Sequence, residues 1–225
     1  SLTPSSEDTI RVLSWNVKFG QLLDQKDRGS RILQVLKPDI LLLQELDGDD
    51  TPERLGNFLT EALGGSWHVH MSTGTGEKRH HQLRSAIATK LKSVELDTEN
   101  ITPRKTVMVN VQIGEKTITF ASLHLRCCGG PDSEAEQQRR KEAIQLRKAI
   151  DSVDSDGAII AGDWNLVATN QPLLTVQQDD FSVVHALQPD GLLTATWSDS
   201  TSSFTPGRLD WMLVSKDVIK VQRGF

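Results

Sequence analysis

The alternation of apolar and polar positions divides the chain into short strands and amphipathic helices. Ile10 to Val17 reads as a strand, and Ile40 to Gln44, with four consecutive apolar residues, as a buried one. Between them Ser30 to Leu36 is a short amphipathic helix ended by Pro38. Pro52 to Leu63 is helical, with Thr51 at the cap, Pro52 at the first position and Gly64-Gly65 as the stop. Its apolar residues Leu55, Phe58, Leu59 and Leu63 follow the helical period. Trp67 to Met71 and Ser85 to Thr89 read as strands around a polar loop. Val107, Val109, Val111 and Ile113 alternate strictly, and Gly114 turns that strand into Thr117 to Leu125, a hairpin. Ser133-Glu134-Ala135-Glu136 is a capping box that opens a long helix to about Val153. Gly157 to Ala161 is a buried strand, residues 166–207 are loop-rich, Leu209 to Val214 is a late strand, and Val218 to Val221 is a candidate for another. Hairpins mixed with strand–helix–strand units predict an α/β architecture of two packed mixed sheets with helices outside.

The length of 225 residues fits one domain, and 37% hydrophobic with 24% charged residues describes a globular chain able to bury a sizeable core. No apolar run approaches the roughly 20 residues that cross a bilayer, and no transmembrane or hydrophobic signal segment is expected. Residues 1–9, "SLTPSSEDT", read as a disordered leader before a single domain over 10–225. A net charge of −5 argues weakly against bulk electrostatic binding to nucleic acid. It leaves room for local basic loops and for a divalent metal that offsets acidic residues. Cys127 and Cys128 are adjacent. Neighbouring cysteines seldom pair, because the ring they close is strained, so no disulfide framework and no compartment follows from them.

Several polar residues fall where apolar strands end. Asn16 follows Val12, Leu13 and Trp15; Glu45 follows Leu41 to Leu43; His124 follows Ile118, Phe120 and Leu123. Asp163 and Asn165 follow Ile159, Ile160 and Gly162, and Asp210 sits early in "RLDWMLVS". Strand ends along one sheet edge are where α/β proteins place ligands. Singly, each has an ordinary reading: a backbone partner for Asn16, an arginine for Glu45, a satisfied core site for His124, a turn for Gly162-Asp163, an ion pair for Asp210. Together they have a chemical logic. A hard cation such as Mg²⁺ takes oxygen ligands, often one or two carboxylates plus water and substrate phosphate. Glu45 supplies the first, with Asn16 as amide ligand or ligand orienter. Hydrolysis of a phosphoester also needs an aligned water and donors for the charged phosphorus centre. Asp163 suits the water, Asn165 the water or a phosphate oxygen, and His124 the phosphate. Asp163 and Asn165, two apart on an extended segment, point the same way.

The segments "RVLSWNV", "LLLQE", "SLHL", "GDWN" and "RLDWMLVS", from Arg11 to Ser215, resemble in order and spacing the endonuclease/exonuclease/phosphatase superfamily. The resemblance implies a four-layer α/β sandwich and divalent-metal-dependent phosphoester hydrolysis with Mg²⁺ or Mn²⁺. It implies Asn16 and Glu45 at the metal, and Asp163 and Asn165 at the nucleophilic water and phosphate. His124 matches the position that is His in pancreatic-type deoxyribonucleases and sphingomyelinases. Abasic-site endonucleases usually carry Tyr there, and this chain contains no Tyr. Asp210 matches the acid that orients a second histidine, which normally lies in a later Ser-Asp-His motif. No such motif follows Asp210, and His185 precedes it without that context. The domain is therefore expected to lack its last strand and that motif. Lys18 stands where some family nucleases carry a metal-assisting Asp.

For substrate, two basic stretches stand out. One is Lys78-Arg79-His80-His81 to Arg84; the other runs from Arg126 through Arg139-Arg140-Lys141. Arg suits bidentate phosphate contacts. Arg126 is favoured because it follows His124 by two residues and shares its face; Arg84 is the second candidate. "CCGG", Cys127 to Gly130, is read as a tight turn beside the site. The preferred expectation is a nuclease or phosphodiesterase acting on nucleic acid as a monomer. A lipid or inositol phosphate hydrolase of the same superfamily and a non-catalytic phosphate-binding relative stay open.

Overall fold

The computed structural model describes residues 9–73, 82–97, 105–187, 195–201 and 205–224. The expected leader and the Lys78 to His81 stretch fall outside these residues, apart from Thr9.

Among the described residues ten strands form two sheets. The first holds β1 (Val12–Asn16), β2 (Ile40–Leu46), β3 (His68–Met71) and β4 (Arg84–Thr89), in the order β1-β2-β4-β3. The second holds β5 (Ser93–Glu95), β6 (Thr106–Ile113), β7 (Lys116–His124), β8 (Gly157–Asp163), β9 (Phe181–Val183) and β10 (Asp210–Ser215), in the order β5-β6-β7-β8-β10-β9. Both are mixed: β1 and β2 run parallel, as do β7 and β8, and the remaining pairs are antiparallel.

Three apolar layers follow from period-2 alternation. Leu41, Leu43, Ala86 and Ala88 face outward from the first sheet, onto Leu22 and Leu23 of α1 (Gln21–Asp24), Leu33 of α2 (Lys26–Leu36), and Leu55, Phe58 and Leu59 of α3 (Pro52–Leu63). Ala121, Leu123, Ala158 and Ile160 face outward from the second, onto Ala143 and Leu146 of α4 (Glu134–Ser152) and Leu173 and Val176 of α5 (Gln171–Gln177). The alternate residues Ile40, Leu42, Val107, Val109, Phe120, Ile159, Ala161 and Val214 meet between the sheets. The architecture is the four-layer α/β sandwich.

Several local expectations change. The Ser30 helix starts earlier, at Lys26, and a separate short turn of helix precedes it. The loop-rich region contains α5 and β9, each short enough to escape a periodicity test. Val218 to Val221 forms no strand. The capping box is half made: Ser133 Oγ accepts from Glu136 N at 3.2 Å, but the Glu136 carboxylate turns to Arg139 and Arg140. Cys127 and Cys128, expected to remain unpaired, are joined by a disulfide.

Candidate active site

The inter-sheet layer is apolar along most of its length and polar at one end. The same alternation that points Val12, Leu42, Phe120, Ala161 and Met212 inward carries, at the strand ends, Asn16, Gln44, His124, Asp163 and Asp210. Register aligns them: Asn16 lies opposite Gln44, His124 opposite Asp163, and Asp163 opposite Asp210. Gln44 bridges the two sheets beneath, donating from Nε2 to Ser122 Oγ at 2.9 Å.

Glu45 needs a further device. As the neighbour of Gln44 it would face the outer helices with Leu43. Instead β2 is irregular between Leu43 and Leu46, and Glu45 adopts φ +59. A bulge of this kind re-aims a side chain. It brings the Glu45 carboxylate to Asn16, whose Nδ2 donates to Glu45 Oε1 and to Asp163 Oδ2, both at 3.0 Å. Asn16 Oδ1 accepts from the Lys18 backbone N–H at 2.9 Å, which fixes the amide orientation. Asn16 therefore orients the carboxylates across the two sheets with its nitrogen, and its oxygen is engaged.

His124 Nε2 lies 3.8 Å from both Glu45 Oε1 and Asp163 Oδ2. Ligand atoms of Glu45, His124 and Asp163 all fall within 4.8 Å of one another. The chemistry of this donor set, two carboxylates and one imidazole, fits a divalent cation. Asp163 Oδ1 accepts from Asn165 N at 2.9 Å, and Asn165 Nδ2 donates to Leu125 O at 3.1 Å.

Burial, followed by repulsion from Asp210, pushes the Asp163 carboxyl up to about 7. Asp210 is raised as well, first by burial, while Thr196 opposes the shift by hydrogen bonding to it. His124 is pushed down to about 3 by burial and then by the Lys105 charge, so its imidazole is neutral at physiological pH.

Lys105 is a site residue that the sequence reading passed over. Its carbonyl accepts from His124 N at 3.1 Å and from Ser85 Oγ at 2.7 Å, which places it between the sheets beside His124. Its charge is felt by Glu142, Glu45, Arg126 and Asp163. The signal was present: Lys105 is two residues before Val107 and continues the inward alternation of Val107, Val109 and Val111.

The basic candidates separate. Arg126 is exposed two residues past His124, its backbone N–H bonded to Glu142 Oε2 at 2.9 Å. Arg84 Nη1 donates to Asp50 O at 3.0 Å and contacts Met71 Sδ at 3.9 Å. Arg139 is wholly buried and bonds the carbonyls of Arg126, Cys128 and Gly129. Lys18 is exposed at φ +43, and His185 is exposed beyond β9.

A family model described as the Endonuclease/Exonuclease/phosphatase family matches residues 13–224, and the chain belongs to that family of phosphoester hydrolases. No curated protein matches it by sequence. Among solved structures, truncated TDP2 from Caenorhabditis elegans is similar at 21% identity, covering 92% of this chain and 84% of that one, with a TM-score of 0.65. TDP2 from D. rerio complexed with a single-strand DNA product is similar at 19% identity over 94% and 86% of the two chains, TM-score 0.63. A point variant of the 3′ phosphatase NExo from Neisseria, bound to a product DNA hairpin, is similar at 15% identity over 92% and 87%, TM-score 0.63. At these identities the likeness establishes the fold.

Proposed function

We propose that the chain is a divalent-metal-dependent phosphodiesterase that acts on nucleic acid. The observation that carries the reading is the convergence of Glu45, His124 and Asp163 within 4.8 Å at the polar end of the inter-sheet layer. Glu45 and Asp163 would hold a cation, Mg²⁺ or Mn²⁺, with Asn16 fixing both carboxylates. Once bound, such a cation neutralises phosphoryl oxygens and polarises the phosphorus centre. Asp163, held by Asn16 and by the Asn165 backbone N–H, is placed to orient the attacking water beside such a cation. Asn165 holds one Asp163 oxygen in place and keeps a second Nδ2 hydrogen for water or phosphate. Neutral His124 donates a hydrogen bond to a phosphate oxygen, Asp210 lies opposite Asp163 on the neighbouring strand, and Lys105 and Arg126 supply positive charge on the same side.

Nucleic acid is favoured as substrate because two structurally similar proteins were captured with DNA products. No described helix is long and apolar enough to cross a membrane. The test is cleavage of plasmid DNA, a single-stranded oligonucleotide and bis-p-nitrophenyl phosphate with Mg²⁺ or Mn²⁺ by this chain. EDTA should abolish cleavage, and DNA cleavage should fall steeply with salt. Cleavage that survives EDTA defeats the metal role. Hydrolysis of phospholipids or inositol phosphates in place of DNA defeats the substrate. Separately, Glu45→Gln should weaken Mn²⁺ binding in calorimetry by at least about tenfold, the scale of a lost ligand or its supporting shell. Unchanged affinity removes Glu45 from the metal.

A further inference from the structure

Leu125 to Gly130 open the loop that joins β7, at His124, to α4, at Glu134. Several of its backbone groups are held from behind. Leu125 N donates to Asp163 O at 2.9 Å, and Leu125 O accepts from Asn165. Arg126 N is held by Glu142. The carbonyls of Arg126, Cys128 and Gly129 converge on buried Arg139 at 2.9, 2.7 and 2.8 Å. At the outer surface of this fixed loop both Cys127 and Cys128 are exposed, and they are bonded to each other. Cys128 has φ +70, a left-handed backbone that a residue with a Cβ seldom takes unless its surroundings impose it. Two constraints impose it here: the covalent ring on one side and Arg139 on the other.

We infer that Cys127–Cys128 is a thiol–disulfide exchange site that takes dithiol reductants and controls the order of the Arg126 loop. The reaction balances as one disulfide plus one dithiol giving two cysteine thiols and one oxidised reductant. Two electrons and two protons pass to the protein, and no backbone bond breaks. An exposed disulfide meets the access requirement for attack by a thiolate. Reduction removes the ring, so Cys128 can leave the left-handed region. Its carbonyl and that of Gly129 then turn away from Arg139, and Arg126, left with the bonds of its own N–H and carbonyl, loses the bracing of the residues that follow it. Glu45, His124 and Asp163 stay in place, because they are set by strand register, the β2 bulge and Asn16. On the proposed function, where Arg126 contacts substrate phosphate, reduction therefore raises KM with kcat little changed.

The experiment treats the native chain with dithiothreitol, counts thiols by alkylation and mass spectrometry, and follows trypsin cleavage of the Arg126–Cys127 bond by peptide mapping. Two thiols should appear without denaturant, and cleavage at that bond should accelerate about tenfold. The Cys127→Ser/Cys128→Ser double variant should be cleaved at the fast rate with or without reductant. Thiols that appear only after denaturation overturn the inference, as does a cleavage rate indifferent to reduction. KM for bis-p-nitrophenyl phosphate should rise about tenfold on reduction, the scale of one lost charge-assisted hydrogen bond. An unchanged KM with accelerated cleavage leaves the exchange site standing and removes Arg126 from the substrate.

Discussion

His124 and Asp163 titrate in opposite directions relative to the unfolded chain, and their effects on stability oppose one another. Asp163 has its carboxyl raised from 3.8 to about 7, so between these values the native state holds a proton that the unfolded state has lost. Its contribution is complete below pH 3.8 and fades as pH rises towards 7. His124 is lowered from 6.5 to about 3, so in that window the unfolded state holds the extra proton. Its contribution is complete above pH 6.5 and fades as pH falls towards 3. Where the windows overlap the two slopes cancel, and the metal-free protein should show a muted pH dependence from this pair. His124→Gln should make the stability slope more negative than that of the wild type, by up to about 1.4 kcal/mol per pH unit between pH 4 and 6.5. Asp163→Asn should move it the same amount in the positive direction. Urea unfolding in EDTA across this range measures both slopes, and two variants with the wild-type slope would remove the pair from the balance. The identity of these residues was legible at strand ends. Their protonation was not, because it depends on burial and on Asp210 arriving from a strand distant in sequence.

At the scale of elements, the site depends on how closely β7 and β8 approach at their ends. Gly162 has φ +149, and a Cβ added there would lie 2.0 Å from Leu123 O. Both backbone conformation and space require glycine at this position, and Asp163 reaches its place opposite His124 only because the strands come this near. Gly162→Ala should cost about 3 kcal/mol from strain and overpacking combined. It should also reduce metal affinity, since Asp163 is the next residue. A variant with wild-type stability in urea unfolding would show that the two strands can part without cost. Elements with a long, consistent period were readable from the sequence. Helix α3 matches its expected bounds, because cap, proline and glycine stop all agree. The bulge at Glu45 was not readable: a run of leucines gives no sign that the chain will break its alternation one residue after Gln44. The buried employment of Arg139 was only half legible: its pair with Glu136 three residues earlier has a sequence signature, but its bonds to carbonyls of another segment have none.

On the scale of the whole molecule, the acids of the site come from both sheets. Glu45 belongs to β2 in the first, and Asp163 and Asp210 belong to β8 and β10 in the second. Asn16 and the Gln44–Ser122 bridge tie the sheets at this end, but three carboxylates facing one another in a buried layer oppose that closure. A cation bound between them would relieve the repulsion only while the sheets remain packed, so its binding energy becomes stability of the whole sandwich. A ligand that binds the native state alone stabilises by about 2.7 kcal/mol at roughly 100 times its Kd. Saturating Mg²⁺ should therefore raise the urea midpoint of the wild-type chain above its value in EDTA. NaCl at matched ionic strength should raise it less, because the net charge of −5 is screened equally by either salt and only Mg²⁺ adds binding energy. Glu45→Gln in Mg²⁺ should unfold close to its own midpoint in EDTA, since the contribution of the first sheet to the cation is gone. If Mg²⁺ and NaCl move the wild-type midpoint alike, the ion acts only by screening. The polar end of the inter-sheet layer then holds its carboxylates apart by hydrogen bonding and protonation alone.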